Sequence, residues 1–130
     1  MSIPKVIHYC WFGGGEIPEE YYTYIQGWKK ILPDYEFKKW DESNCELNCN
    51  RFVQAAYEKR KWAYVSDYFR LKALYEYGGI YLDTDVEVYK KFDDLLEYSF
   101  FCGYIWDCLI GTAVIGAERH SVLVEKIMQK

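Results

Sequence analysis

Asp83, Asp85 and Glu87 stand at alternate positions in the stretch EYGGIYLDTDVEVYKKF. Oxygen donors spaced as acid-x-acid suit a hard divalent cation. Mg²⁺ or Mn²⁺ takes one or two carboxylates and shares its remaining positions with phosphates and water. If the stretch is a strand, Tyr81, Asp83, Asp85 and Glu87 lie on one side. Ile80, Leu82, Val86 and Val88 then lie on the other, together with Thr84. Same-face carboxylates would sit ~7 Å apart and, at an effective dielectric of ~20, repel by ~2 kcal/mol. A bound cation relieves that repulsion, and ligands of open α/β sheets gather at the carboxyl ends of strands. The spacing therefore reads as an anchor for metal and diphosphate. Taken alone, D-x-D has a plainer reading: a solvated strand edge whose acids discourage aggregation.

Asp67 and Arg70 precede this stretch and lie three apart in a helical pattern, so they face the same way. Asp67 can accept hydrogen bonds from sugar hydroxyls, while Arg70 neutralises a phosphate or donates to the sugar. The bland alternative is a helix ion pair worth ~0.3 kcal/mol. Trp11 stands just before Gly13-Gly14-Gly15, where backbone can approach a ligand closely. It offers a stacking face or simply caps a core. His8, inside an apolar run, reads as a core or hydrogen-bonded strand residue, and Lys90-Lys91 as a solvated turn.

The elements that must position these residues follow from the pattern. KVIHYCWF (5–12) is apolar and β-rich and ends at the glycines. Pro18 with Glu19 and Glu20 opens a helix that Pro33 stops after Leu32. YEFKKWD (35–41) is a second strand. Residues 51–77 are helical with a break near Lys61-Trp62, and Gly78-Gly79 closes the helix. In the second part, Tyr64, Tyr68, Leu71 and Tyr75 form one stripe. IYLDTDVEVY is the third strand, FDDLLE a short helix, YSFFCGYIW and LIGTAVIGA two further strands, and a helix starts at His120. Helices alternating with apolar strands indicate an α/β sheet covered on both faces. The last helix has no terminator, so residues 1–130 read as one domain that continues beyond this length.

Composition narrows the function. The chain of 130 residues is 51% hydrophobic and 28% charged, enough for a single globular core. Aromatic residues make up 20%, with 14 Tyr and 5 Trp, which suits sugar or base stacking as well as a wet core. A net charge of −4 without a basic block argues against nucleic acid as a partner. There is no apolar run long enough to span a bilayer and no signal peptide, which leads to an expectation of cytoplasmic localisation. Of the five cysteines, Cys45 and Cys49 could form half a zinc site, but no second pair completes it; free thiols are expected.

The segment AYVSDYFRLKALYEYGGIYLDTDV resembles the sugar-binding segment of DXD-containing glycosyltransferases of the family 32 type. That group includes yeast outer-chain mannosyltransferases and bacterial polysaccharide enzymes, and the glucosylating clostridial toxins carry a related segment. The opening IPKVIHYCWFGGGEIP is similar to the same family's first strand and loop. The resemblance implies a Rossmann-like GT-A sandwich, of which this chain is the N-terminal, donor-binding part. Asp83 and Asp85 match the DXD pair, which holds Mn²⁺ or Mg²⁺ and the diphosphate of a UDP- or GDP-sugar and so acts catalytically on the leaving group. Asp67 and Arg70 match positions that contact the donor sugar, and Trp11 an aromatic that stacks on the base. The implied reaction is metal-dependent, retaining transfer of the sugar to a glycan or lipid-linked acceptor hydroxyl. Bacterial surface polysaccharide synthesis, with peripheral contact to the inner membrane, is the expected setting. Relatives show an Asn in a later strand and then HP; LIGTAVIGAERHS has Gly111, Thr112 and His120-Ser121, and Asp107 is either a substitute or a turn residue. The alternative of another class is a noncatalytic carbohydrate- or metal-binding module that keeps the fold.

Overall fold

A computed structural model of the chain describes residues 3–13, 15–47, 51–84, 86, 88, 91–105 and 109–128. The strands are β1 (Val6–Cys10), β2 (Glu36–Trp40), β3 (Gly79–Leu82), β4 (Phe100–Ile105) and β5 (Leu109–Ala117). The helices are α1 (Glu19–Ile31), α2 (Arg51–Glu58), α3 (Trp62–Tyr77) and α4 (Val122–Met128), with a 3₁₀ turn at Asp93–Leu95. This is the alternation expected from the sequence, element for element. The strands form one mixed sheet in the order β2-β1-β3-β5-β4. β1 runs parallel to β2 and β3, whereas β5 runs antiparallel to β3 and β4.

Alternation along β1 and β3 feeds two cores. Ile7, Tyr9, Ile80 and Leu82 pack on one face against Ile25, Trp28 and Leu32 of α1 and its end. Cys10 and Tyr81 pack on the other face with Val65, Phe69 and Leu74 of α3, Val53 of α2 and Val124 of α4. Trp28 is wholly buried, and its indole N–H donates to the Val86 carbonyl at 2.7 Å. Burying the ring without that acceptor would leave a desolvated donor.

Gly78 and Gly79 set the angle between α3 and β3. Gly78 has φ +71°, and its N–H donates to the Leu74 carbonyl at 2.8 Å, closing the helix. Gly79 has φ +121°, and a Cβ there would lie 2.5 Å from the Val6 carbonyl oxygen. Only glycine meets both demands.

One expectation is corrected. β3 ends at Leu82, not at Tyr89. Thr84 is in a turn, in which the Val86 N–H donates to the Asp83 carbonyl at 3.1 Å. Asp83 therefore does not lie on the strand but sits where the chain leaves the sheet. The buried face of α3 is Val65, Phe69, Ala73 and Leu74, whereas Tyr64 is exposed and Tyr68, Leu71 and Tyr75 are half-buried. This helix is apolar on several sides, and Tyr68, Leu71 and Tyr75 of the tyrosine stripe pack against the same core from its edge.

Candidate functional site

Chain leaving β1 goes toward β2, and chain leaving β3 goes toward β4 and β5, so their carboxyl ends frame a switch point of the sheet. A cleft of about 340 Å³ opens there. Cys10, Trp11 and Phe12 line it from the end of β1, and Tyr81, Asp83 and Thr84 from the end of β3. Tyr21 of α1 and Trp62, Ser66 and Arg70 of α3 complete the walls. The α3 residues recur every fourth position, which puts them on one helix face.

Arg70 is the charged group at the floor of the cleft. It is only 7% exposed, and its guanidinium lies over the Tyr81 ring, 4.6 Å from the centroid. One nitrogen, Nη2, lies 3.0 Å from Asp67 Oδ1 and 3.3 Å from Asp83 Oδ1. A charge this buried must be paired, and here it is shared by two carboxylates. Both of those are more open to solvent, their side chains 53% and 32% exposed. Two carboxylates around one guanidinium leave one negative charge at the mouth. That balance fits a hard cation, with Asp83 as an oxygen donor at the cleft, and a diphosphate that arrives with the cation.

The neighbouring titratable groups stay neutral. Burial raises the Tyr81 hydroxyl well above its ordinary range, and the hydrogen bond to Asp83 adds to this. Burial also pushes the Cys10 thiol up, which favours its neutral form.

The glycine loop after β1 is held from outside the cleft. Gly13 has φ +116°, and its N–H donates to Glu42 Oε2 at 2.6 Å. The Tyr57 hydroxyl donates to the same oxygen at 3.2 Å. A Cβ on Gly13 would lie 3.1 Å from Nε1 of Trp62, so the loop rests on the indole. Across the opening, the Trp11 and Tyr21 rings meet with centroids 5.5 Å apart.

The structure thus brings Trp11, Asp67, Arg70 and Asp83 together. Asp85 and Glu87 lie outside the described residues, as do Lys90, Asp107 and Cys49. Among the described residues no group of three His, Cys, Asp or Glu side chains could hold a metal by itself, and Cys10, Cys45 and Cys102 are free thiols. His8 does not line the cleft. It is fully buried, its Nε2–H donates to the Gly78 carbonyl at 2.8 Å, and its Nδ1 accepts from the Trp40 indole at 3.0 Å. Sequence reasoning missed Tyr21, Glu42, Trp62, Ser66 and the role of Tyr81. The spacing of Trp62, Ser66 and Arg70 held the signal for the α3 wall.

Comparison with known proteins is consistent with this geometry. The family described as glycosyltransferase sugar-binding region containing DXD motif matches residues 18–101. Inositol phosphoceramide mannosyltransferase 3 of Schizosaccharomyces pombe is 33% identical over 131 residues, covering 97% of this chain and 36% of the relative. The initiation-specific alpha-1,6-mannosyltransferase of Candida albicans is 29% identical over 106 residues, covering 74% of this chain and 28% of the relative. The chain therefore spans about a third of the length of such relatives. Among solved structures, the PaToxG glycosyltransferase superposes with a TM-score of 0.81 at 18% identity, over 98% of this chain and 59% of that one. That likeness establishes a GT-A type fold, of which this chain is a part.

Proposed function

The chain belongs to the glycosyltransferases with a DXD-containing sugar-binding region, and from that premise we propose that its cleft is the donor site for hexosyl transfer. The donor is a UDP- or GDP-sugar, and the acceptor is a hydroxyl of a glycan or of a lipid-linked acceptor. The observation that carries the reading is Arg70, buried at the carboxyl ends of β1 and β3 and shared between Asp67 and Asp83.

Each residue then has a task. Trp11 presents its ring beside Tyr21 for the base. Asp67, half-exposed, accepts from sugar hydroxyls, while Arg70 holds it in place and faces the diphosphate. Asp83, with Asp85 of the same motif, would hold Mn²⁺ or Mg²⁺. That ion would act as a Lewis acid on the departing diphosphate. The protein's own contribution is positioning: Arg70 is fixed before the donor arrives, so little reorganisation accompanies bond breaking. Retention of anomeric configuration is part of the proposal and rests on the family resemblance.

The names of the relatives favour mannose as the sugar and an inositol phosphoceramide as the acceptor over a capsule-type polysaccharide. These relatives are fungal, so the bacterial setting has only the resemblance behind it. No helix among the described residues is long and apolar enough to cross a membrane.

Calorimetry of GDP-mannose and UDP-glucose with and without Mn²⁺ tests the reading. One donor should bind only with the metal, and Asp83→Asn should weaken it at least tenfold. Binding that ignores both metal and substitution would overturn the assignment.

A further inference from the structure

One corner of the molecule carries charge and apolar surface that neither core uses. Phe52 of α2 is 54% exposed and Tyr64 of α3 is 52% exposed. Their rings meet edge to face with centroids 6.4 Å apart, so they form one patch. Arg51 stands beside Phe52 at the start of α2, and Lys59, Arg60 and Lys61 make the turn between the two helices, all exposed. Between positions 51 and 61 these four cations face a single acid, Glu58, in a chain whose net charge is −4. Among the described residues none of the four enters an ion pair.

Backbone hydrogen bonds hold the turn at this corner. The Arg60 N–H donates to the Tyr57 carbonyl at 3.0 Å and the Lys61 N–H to the Ala56 carbonyl at 2.8 Å. Arg60 takes φ 58°, an unfavourable conformation for a side chain of its size, to make this turn. Phe52 lies in the first turn of α2 and Lys59 just past its end; Lys61 immediately precedes α3, and Tyr64 lies in the first turn of that helix.

We propose that this corner docks the protein on an anionic lipid surface. Phe52 and Tyr64 enter the headgroup region, and the four cations meet the lipid phosphates and carboxylates. A long cationic side chain keeps its charge in the headgroup layer while its stem covers apolar surface, which suits Lys59 and Lys61 at the turn. Nucleic acid fits less well, because the basic surface is a corner and not a groove that tracks a strand. Docking places the α3 wall of the cleft, beginning at Trp62, next to the bilayer. The docking stands by itself; its value for delivering a lipid-linked acceptor rests on the donor-site reading.

Sedimentation with phosphatidylcholine vesicles, with and without phosphatidylserine, tests the proposal at low and physiological salt. Binding should require phosphatidylserine and weaken as salt rises. Lys59→Gln/Arg60→Gln/Lys61→Gln should weaken it about a hundredfold, since each cation near the surface contributes about fivefold. Phe52→Ser/Tyr64→Ser should lower the binding that persists at higher salt. Lys29→Gln/Lys30→Gln, on α1, should leave it unchanged. Three results would overturn the proposal: no binding to anionic vesicles, tighter binding to poly(U) RNA than to vesicles, or self-association that the Phe52/Tyr64 substitution abolishes. Donor calorimetry on the triple Gln variant keeps the two readings separate, because it should match the unaltered protein whichever way the vesicles decide.

Discussion

Two buried polar clusters lie side by side on β1 and β3, and they are finished differently. His8 pairs with Tyr81 across the ladder, so the clusters are neighbours. At His8 both ring nitrogens are used inside the protein, by the Gly78 carbonyl and the Trp40 indole, and the ring lies against Trp40 with centroids 6.1 Å apart. Arg70 is nearly as buried, yet its two carboxylate partners stand at the solvent edge of a cleft. The first cluster is closed and the second is half open. Burial of a polar group therefore does not mark a site here; the direction its partners face does.

The closed cluster should respond to disruption by losing the fold. Gly79→Ala would place a methyl 2.5 Å from the Val6 carbonyl oxygen and 3.2 Å from His8 Nε2, at φ +121°. Both the overlap and the backbone conformation oppose it, so chemical denaturation should show a loss of about 4 kcal/mol or more. A variant as stable as the parent would mean that the helix-to-strand turn is far softer than its contacts indicate.

Acid should open the same cluster next. Burial lowers the His8 pKa to about 4 from an ordinary value near 6.5. Between those values the unfolded chain takes up a proton that the folded ring refuses, so stability is intact above pH ~6.5 and falls as pH drops toward 4. The full loss is about 3 kcal/mol. Unfolding free energies measured across that window should fall accordingly, and His8→Gln should flatten the curve. Donor binding at neutral pH is the control: it should follow the folded fraction and no more.

The open cluster should show the opposite pattern. Arg70→Lys keeps the charge but loses the planar contact with Tyr81 and the fork that reaches two carboxylates. Donor affinity should drop about thirtyfold, near 2 kcal/mol, with a smaller change in stability. If stability falls by that amount and affinity does not, Arg70 belongs with His8 as a structural group.

The contrast explains what was legible in the sequence. Element order follows from local rules: Pro18, the Gly78-Gly79 break and the apolar runs each act within a few residues. Asp67, Arg70 and Asp83 were legible because a helix face and a turn bring them together without help from distant chain. The end of β3 was not, because DTDVEV keeps strand alternation after the ladder with β5 ends at Leu82. His8 was legible as a core or hydrogen-bonded strand residue, but its partners Trp40 and Gly78 were not, since they come from remote segments. Glu42 escaped for the same reason: it lies in a polar connector and meets Gly13 only once β1 and β2 are paired.

Glu42 also gives the finest test of the comparison, because its geometry belongs to neither kind outright. Its carboxylate sits outside the cleft and holds the Gly13 N–H at 2.6 Å, and Gly13 in turn lies on Trp62, a cleft wall. Glu42→Gln preserves size and an acceptor oxygen while removing the charge that strengthens the bond. A bond to a charged acceptor is worth about 1 kcal/mol more than a neutral one, which corresponds to about fivefold in an equilibrium. If the latch shapes the base end of the cleft, that fivefold should be seen in donor affinity, with the ratio between GDP- and UDP-sugars shifting as the loop relaxes. If it only ties the connector to β1, the loss should be seen in unfolding free energy with donor affinity unchanged. The first result extends the open cluster across the glycine loop to β2; the second confines it to Trp11, α3 and the end of β3.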